Sequence, residues 1–198
     1  MANALFAGSS PVEESSIIPT RKSSRANSTS FFRRASREGS LTASYIPPTA
    51  HLPFLAEAIA EARAGLAEGG IPIGCVLVRN GEVIARGHNR RIQRNSTIFH
   101  AEMDCLEAAG RQTAAFYREC TIYTTLSPCA MCSGAIRLYG IPRVVIGENK
   151  TFRGDENLLH ASHIHIDVLD SKECQELLGN FIKENPALWH EDIGRDTT

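Results

Sequence analysis

The sequence predicts an α/β domain with helices on both faces of a mixed five-stranded sheet, behind a leader that takes no part in it. Two observations carry this expectation: runs rich in β-branched residues alternate with helical spacing in the order α-β-β-α-β-α-β-β-α, and the composition changes near Pro47.

Residues 1–46 are dominated by Ser, Thr, Ala and Arg without helical or strand periodicity, and are expected to be disordered. Residues 47–198 are expected to form the domain. In His51–Glu68, Leu55, Ile59, Ala62 and Leu66 recur at helical spacing, Pro53 suits a first turn, and Gly69-Gly70 end the pattern. Ile71–Val78 and Glu82–Arg86 flank Arg79-Asn80-Gly81, where the Asn-Gly pair marks a tight hairpin. His100 to about Gln112 reads as a helix and Cys120–Leu126 as a strand. Ser127 is expected to cap the next helix with Pro128 at its first position, and Gly140 to stop it after Tyr139. Pro142–Gly147 and Ile164–Leu169 read as strands, and Ser171–Glu184 as a last helix ending before Pro186.

The 198 residues, 42% hydrophobic and 22% charged, fit one globular domain plus a tail. The longest apolar stretch, around Ile71–Val78, is far shorter than the roughly 20 residues of a membrane span. No secretory run follows Met1, so a soluble chain is expected in the cytoplasm, with the nucleus a second possibility. The net charge of −1 gives no global attraction to nucleic acid or to an anionic membrane. It is a cancellation: the leader has six basic residues against three acidic ones, a net of +3, which leaves −4 for the rest. The leader is Arg- and Ser-rich like an organelle-targeting peptide, but Glu13 and Glu14 count against that reading. Arg33-Arg34-Ala35-Ser36 has the basic placement of a kinase site; a plain solvated extension is the simpler reading.

Among the six cysteines, Cys129 and Cys132 form a C-x-x-C in Ser-Pro-Cys-Ala-Met-Cys, where a spacing of three puts both sulfurs on one side of a helix start. Unpaired N–H groups there favour thiolates, the form that binds metal. His100 opens another helix in His-Ala-Glu. With Cys129 and Cys132 it makes the three-ligand set of a catalytic zinc site, which leaves a fourth position to water. Glu102, close to that water but not bound to the metal, is placed to carry a proton between water and substrate. Each half alone is weak, since C-x-x-C also occurs in redox pairs and in structural zinc sites. No second C-x-x-C or H-x-x-x-H offers a fourth tight ligand. Together, H-x-E followed by P-C-x-x-C is the signature of zinc-dependent nucleobase deaminases.

From about His51 to Asp192 the chain resembles the fungal-type cytosine deaminases, small zinc enzymes with the three-layer α/β/α cytidine deaminase-like fold. The resemblance rests on Glu-Gly-Gly-Ile-Pro-Ile-Gly (68–74), Arg-Gly-His-Asn (86–89), His-Ala-Glu (100–102) and Tyr-Thr-Thr-Leu-Ser-Pro-Cys-Ala-Met-Cys (123–132). It continues through Tyr-Gly-Ile-Pro-Arg (139–143), Gly-Glu-Asn (147–149) and Trp-His-Glu-Asp-Ile-Gly (189–194), the last being the discriminating one. Two features depart from the pattern: Ala101 stands where some members have Gly, and residues 1–46 have no counterpart. The resemblance implies deamination of free cytosine and 5-substituted cytosines in pyrimidine salvage, one Zn2+ per subunit, and a homodimer. It further implies that Asn89 bonds the pyrimidine edge, that Asp192 recognises the opposite side of the base, and that Phe152 and Trp189 stack on or close over the ring. Ile73, Thr124, Leu126 and Ser127 match pocket-lining positions, with the Ser127 backbone carbonyl meeting the exocyclic amine.

Two rival readings share these motifs. A tRNA adenosine deaminase shares the metal motifs, and Arg86, Arg90, Arg91 and Arg94 offer phosphate contacts. The acidic balance of residues 47–198 and the Trp189–Gly194 segment argue against it. A zinc-stabilised binding module without activity has no use for Glu102. His160, His163 and His165 suggest a second metal site, but the exposed face of an edge strand is the better reading, and His88 is read as substrate contact or loop structure. Cys75, Cys105, Cys120 and Cys174 are expected to be small buried hydrophobes.

Overall fold

The computed structural model describes residues 46–195. The expected leader, with Arg33, Arg34 and Ser36, lies outside the described residues except for Ile46.

Helix α1 (Pro48–Ala67) begins three residues before the expected start, with Pro48 in its first turn. Pro53 lies inside the helix rather than in the first turn, where its missing N–H removes one backbone bond. The buried stripe is His51, Leu55, Ala58, Ile59, Ala62 and Gly65, and Leu66 is 40% exposed instead of joining the core. Gly65 takes the inward position because the His88 ring fills the space in which a Cβ would stand.

Strands β1 (Gly74–Arg79) and β2 (Glu82–His88) form the expected hairpin. Asn80 (φ 52°) and Gly81 (φ 80°) both take the left-handed conformation a two-residue turn of this kind demands. Helix α2 (Ala101–Ala108) is shorter than expected, and an unanticipated turn of helix, α3 (Ala114–Tyr117), follows it with Thr113 as cap. Strand β3 (Cys120–Leu126) has the expected bounds. Helix α4 (Ala130–Tyr139) is capped by Cys129, so Ser127 and Pro128 are not the expected cap and first helical residue. The Ser127 hydroxyl is drawn elsewhere, to Glu156.

Beyond β4 (Arg143–Glu148) come α5 (Glu156–Ala161), edge strand β5 (His165–Val168), α6 (Lys172–Glu184) and α7 (Pro186–Asp192). Neither α5 nor α7 was expected from the sequence; both are too short to show periodicity. Pro186, read as the end of a helix, begins the next one.

The sheet order is β2-β1-β3-β4-β5, antiparallel as far as β3 and parallel from β3 through β5. Alternation along the central strands builds the two cores. Val76, Val78, Tyr123 and Val145 face Ala58 and Phe54 of α1. Cys75, Leu77, Ile122, Val144 and Ile146 pack on the other side with Cys105 and Leu106 of α2 and Ile136 of α4. The result is the expected three-layer mixed α/β/α arrangement. Cys75, Cys105, Cys120 and Cys174 are all buried and unpaired, and β5 leaves His165 exposed at the sheet edge. Among the described residues, no helix is long and apolar enough to cross a membrane.

Candidate metal centre and pocket

Two helix starts meet beside the end of β3. His100 is the N-cap of α2, which puts Glu102 in the first turn, and Cys129 is the N-cap of α4, which puts Cys132 one turn further on. The ligand atoms of His100, Cys129 and Cys132 lie within 4.8 Å of one another. His100 Nδ1 is 3.5 Å from Cys129 Sγ, and the two sulfurs are 3.7 Å apart. Tetrahedral zinc, with bonds of about 2.3 Å to sulfur and about 2.0 Å to nitrogen, requires roughly these separations. The donor set therefore fits a zinc ion. A hydrogen bond with Cys132 and then one with His100 hold the Cys129 thiol down to about 4, against the effect of burial. Thiolate is the ligating form.

Glu102 is 3% exposed and stands between this cluster and β3. Burial first, and the Cys129 charge second, raise its pKa above the ordinary carboxylate value. The hydroxyl of Thr124, a fully buried β3 residue, donates to Glu102 Oε1 at 2.9 Å. Thr124 therefore stands behind Glu102 and is not part of the pocket wall as the sequence reading had it.

The pocket next to the cluster is lined by Ile73, His100, Glu102, Leu126, Ser127, Cys129, Phe152, Trp189 and Asp192, and also by Ala101 and Ile193, which sequence reasoning did not single out. Phe152 and Trp189 meet edge to face, with ring centroids 6.0 Å apart. Asn89 is fully buried next to the pocket residue Asp192, to whose Oδ1 its amide donates at 2.8 Å. Asn89 and Asp192 are thus neighbours. Asp192 is also 3.7 Å from His100 Nε2, the nitrogen turned away from the thiolates, an arrangement that orients a ligating imidazole.

Two buried carboxylates, Glu148 and Glu156, stand beside the segment that carries Phe152. Glu156 accepts from Ser127 Oγ (2.9 Å) and Asn149 Nδ2 (3.0 Å), and Glu148 accepts from the Lys150 and Thr151 amides. Together they fasten the loop that carries Phe152. No short motif marks Glu156, since it lies 29 positions from Ser127.

Each arginine of the basic run has a partner within the chain, although Arg86 and Arg94 stay exposed. Arg86 pairs with Glu57, Arg90 with Asp104, Arg91 with Glu191 and Asp192, and the Arg94 guanidinium lies over the Phe99 ring. His88, buried, bridges Glu61 and Glu68, which makes it a structural residue between α1 and β2.

Residues 48–148 match the cytidine and deoxycytidylate deaminase zinc-binding region. A cytosine deaminase of Candida albicans is 51% identical over 138 residues, covering 69% of this chain and 92% of that one. A tRNA-specific adenosine deaminase of Bacillus subtilis is 37% identical over 142 residues, covering 66% and 88%. Among solved structures, a tRNA deaminase studied for A-to-I editing at the wobble position superposes with a TM-score of 0.54 at 30% identity, over 64% of this chain and 99% of that one. Guanine deaminase from Nitrosomonas europaea (TM-score 0.51, 22% identity, covering 69% and 84%) shares the fold.

Proposed function

Because the chain belongs to the zinc-binding cytidine and deoxycytidylate deaminases, we propose that it hydrolyses free cytosine to uracil and ammonia. The observation that carries the choice of substrate is α7, which brings Trp189, Asp192 and Ile193 over the pocket beside Glu102 and the His100–Cys129–Cys132 cluster. Such a wall suits a small planar base, with aromatic faces and paired polar groups at its rim.

Zinc, held by His100, Cys129 and Cys132, supplies the Lewis acidity that makes a water nucleophilic near neutral pH. Glu102 takes one proton from that water and delivers it to the ring nitrogen N3 as the water oxygen bonds C4, and then carries the remaining hydroxyl proton to the amino group, which leaves as ammonia when the C4–N bond breaks. Thr124 holds Glu102 Oε1 for these transfers. The Ser127 carbonyl faces the exocyclic amine, while the Ser127 hydroxyl stays bound to Glu156. With N3 met by Glu102 and the exocyclic amine by the Ser127 carbonyl, the remaining polar rim of cytosine is the C2 carbonyl followed by N1–H. An acceptor and a donor that adjoin on the base match a donor and an acceptor that adjoin in the protein: the second amide hydrogen of Asn89 and the carboxylate of Asp192. Phe152, Trp189, Ile73 and Leu126 supply the apolar surround and exclude bulk water.

Residues 47–198 form the catalytic domain in this reading, and the chain acts in pyrimidine salvage in the cytoplasm or nucleus. It pairs as a homodimer through the exposed end of α4, where Leu138 is 76% exposed and Tyr139 stacks on Tyr117 at 5.0 Å. The tRNA reading loses its main support, because Arg86, Arg90, Arg91 and Arg94 already have partners within the chain.

The test measures zinc content, uracil formed from cytosine, and inosine formed in tRNA on one purified preparation. One zinc per chain with uracil production and no inosine is the expected outcome. Inosine without uracil would transfer the chain to the tRNA branch, and zinc without either product would make it a binding module.

A further inference from the structure

Arg91 lies in the segment between β2 and α2, where sequence reasoning saw only a potential phosphate contact. Its backbone N–H donates to Asn89 Oδ1 at 3.1 Å, which leaves the Asn89 amide nitrogen directed at Asp192. Its guanidinium forks, with Nη1 3.4 Å from Asp192 Oδ1 and Nη2 3.3 Å from Glu191 Oε1. The Arg91 side chain is 13% exposed and that of Asp192 2%, so this contact is shielded from solvent. Asn89, Arg91 and His100 all converge on the same oxygen, Oδ1 of Asp192. The carboxylate is thus held at Oδ1 while its residue lines the pocket.

We propose that Arg91 is the positioning residue that aims the Asp192 carboxylate at the ring N–H of the substrate, and so sets the preference for an unsubstituted base. The proposal rests on the pocket reading above, in which Asp192 and Asn89 meet the base. Asp192 lies 101 positions from Arg91, at the end of a seven-residue helix, so nothing local fixes its side chain. A guanidinium fork supplies both charge and direction, which a single-point cation does not. By also holding Glu191, Arg91 ties two consecutive residues at the end of α7 to the loop that carries Asn89. The N–H edge of the base is remote from C4, so this contact is equally strong in the ground state and in the transition state. Its loss therefore weakens binding and spares the chemical step.

The test uses the zinc-loaded full-length chain with Arg91→Ala and Arg91→Lys, assayed on cytosine and on 1-methylcytosine, which lacks the N–H. For Arg91→Ala, KM for cytosine is expected to rise about tenfold to a hundredfold, as for loss of a charged hydrogen bond. kcat is expected to change less than threefold, zinc to stay at one per chain, and the preference for cytosine over 1-methylcytosine to shrink. Arg91→Lys should recover part of the KM loss. A KM rise of at least fivefold with kcat lowered less than threefold supports the proposal, and any other split overturns it. Should Arg91→Ala fail to fold, Arg91→Lys is judged by the sign of the same split, with a KM within twofold of wild type counting against. Asp192→Asn and Asn89→Ala are measured alongside. If they raise KM while Arg91→Ala does not, the positioning role alone fails; if they too leave KM unchanged, the pocket reading itself fails.

Discussion

Glu102→Ala should separate metal binding from turnover. Its carboxylate is no part of the His100–Cys129–Cys132 cluster, so zinc content should stay at one per chain while kcat falls about a hundredfold to ten-thousandfold, the usual contribution of a proton-transferring group. Metal analysis beside a rate measurement decides it, and turnover at the wild-type rate would remove Glu102 from the mechanism. Thr124→Val is the graded companion. It deletes the hydroxyl that bonds Glu102 Oε1 in a fully buried position and keeps the volume. About tenfold lower kcat is expected, or roughly 1.4 kcal/mol, with KM nearly unchanged. A KM effect in place of a kcat effect would restore Thr124 to the pocket wall. At this scale the identity of Glu102 was legible from the His-Ala-Glu motif. The partner that positions it was not, because Thr124 and Glu102 lie on different elements 22 residues apart.

The loop between β4 and α5 works as an element, through a close approach of backbone to backbone. A Cβ at Gly154 would stand 1.9 Å from the Pro128 carbonyl oxygen, just ahead of Cys129, so only glycine permits the contact. The same approach lets Asp155 N–H reach Pro128 O at 2.9 Å and Gly154 N–H reach Ser127 Oγ at 3.0 Å. Gly154→Ala should force the loop outward, with a stability loss of about 1–3 kcal/mol. Scanning calorimetry should show a melting temperature lower by several degrees, and KM for cytosine should rise as Phe152 withdraws. An unchanged melting temperature would mean that the loop is not held against Pro128. The hairpin turn at Asn80-Gly81 was readable because it is a local signal, carried by residues at fixed offsets. The cap assigned to Ser127 was misread because a distant acceptor, Glu156, claims the hydroxyl that local pattern reserves for the helix start.

Across the whole molecule, His51 joins α1 to the sheet. Its Nδ1 is 3.0 Å from the Tyr123 hydroxyl, and its Nε2 faces Asp167 at 3.7 Å. Burial lowers the His51 pKa below its ordinary 6.5, with Asp167 opposing. The unfolded chain therefore takes up a proton that the folded chain resists, and this contribution to stability is present above pH 6.5 and lost as the pH falls below it. Denaturant titrations at pH 7.5 and at pH 5.5 should show the wild type losing more stability than His51→Phe over that interval; equal losses would exclude His51 as a source of acid sensitivity. What the sequence by itself determined is whatever neighbours in the chain can specify: alternation that buries both faces of the central strands, the Asn-Gly turn, two helix starts bearing ligands at ligand spacing, and hence the metal chemistry. Only the tertiary structure decided that α7 exists as a wall, that Asn89 and Asp192 adjoin, and that Arg91 turns inward to hold them. Those contacts join residues about a hundred positions apart, and a separation of that size leaves no period, cap or motif from which the pairing could be read.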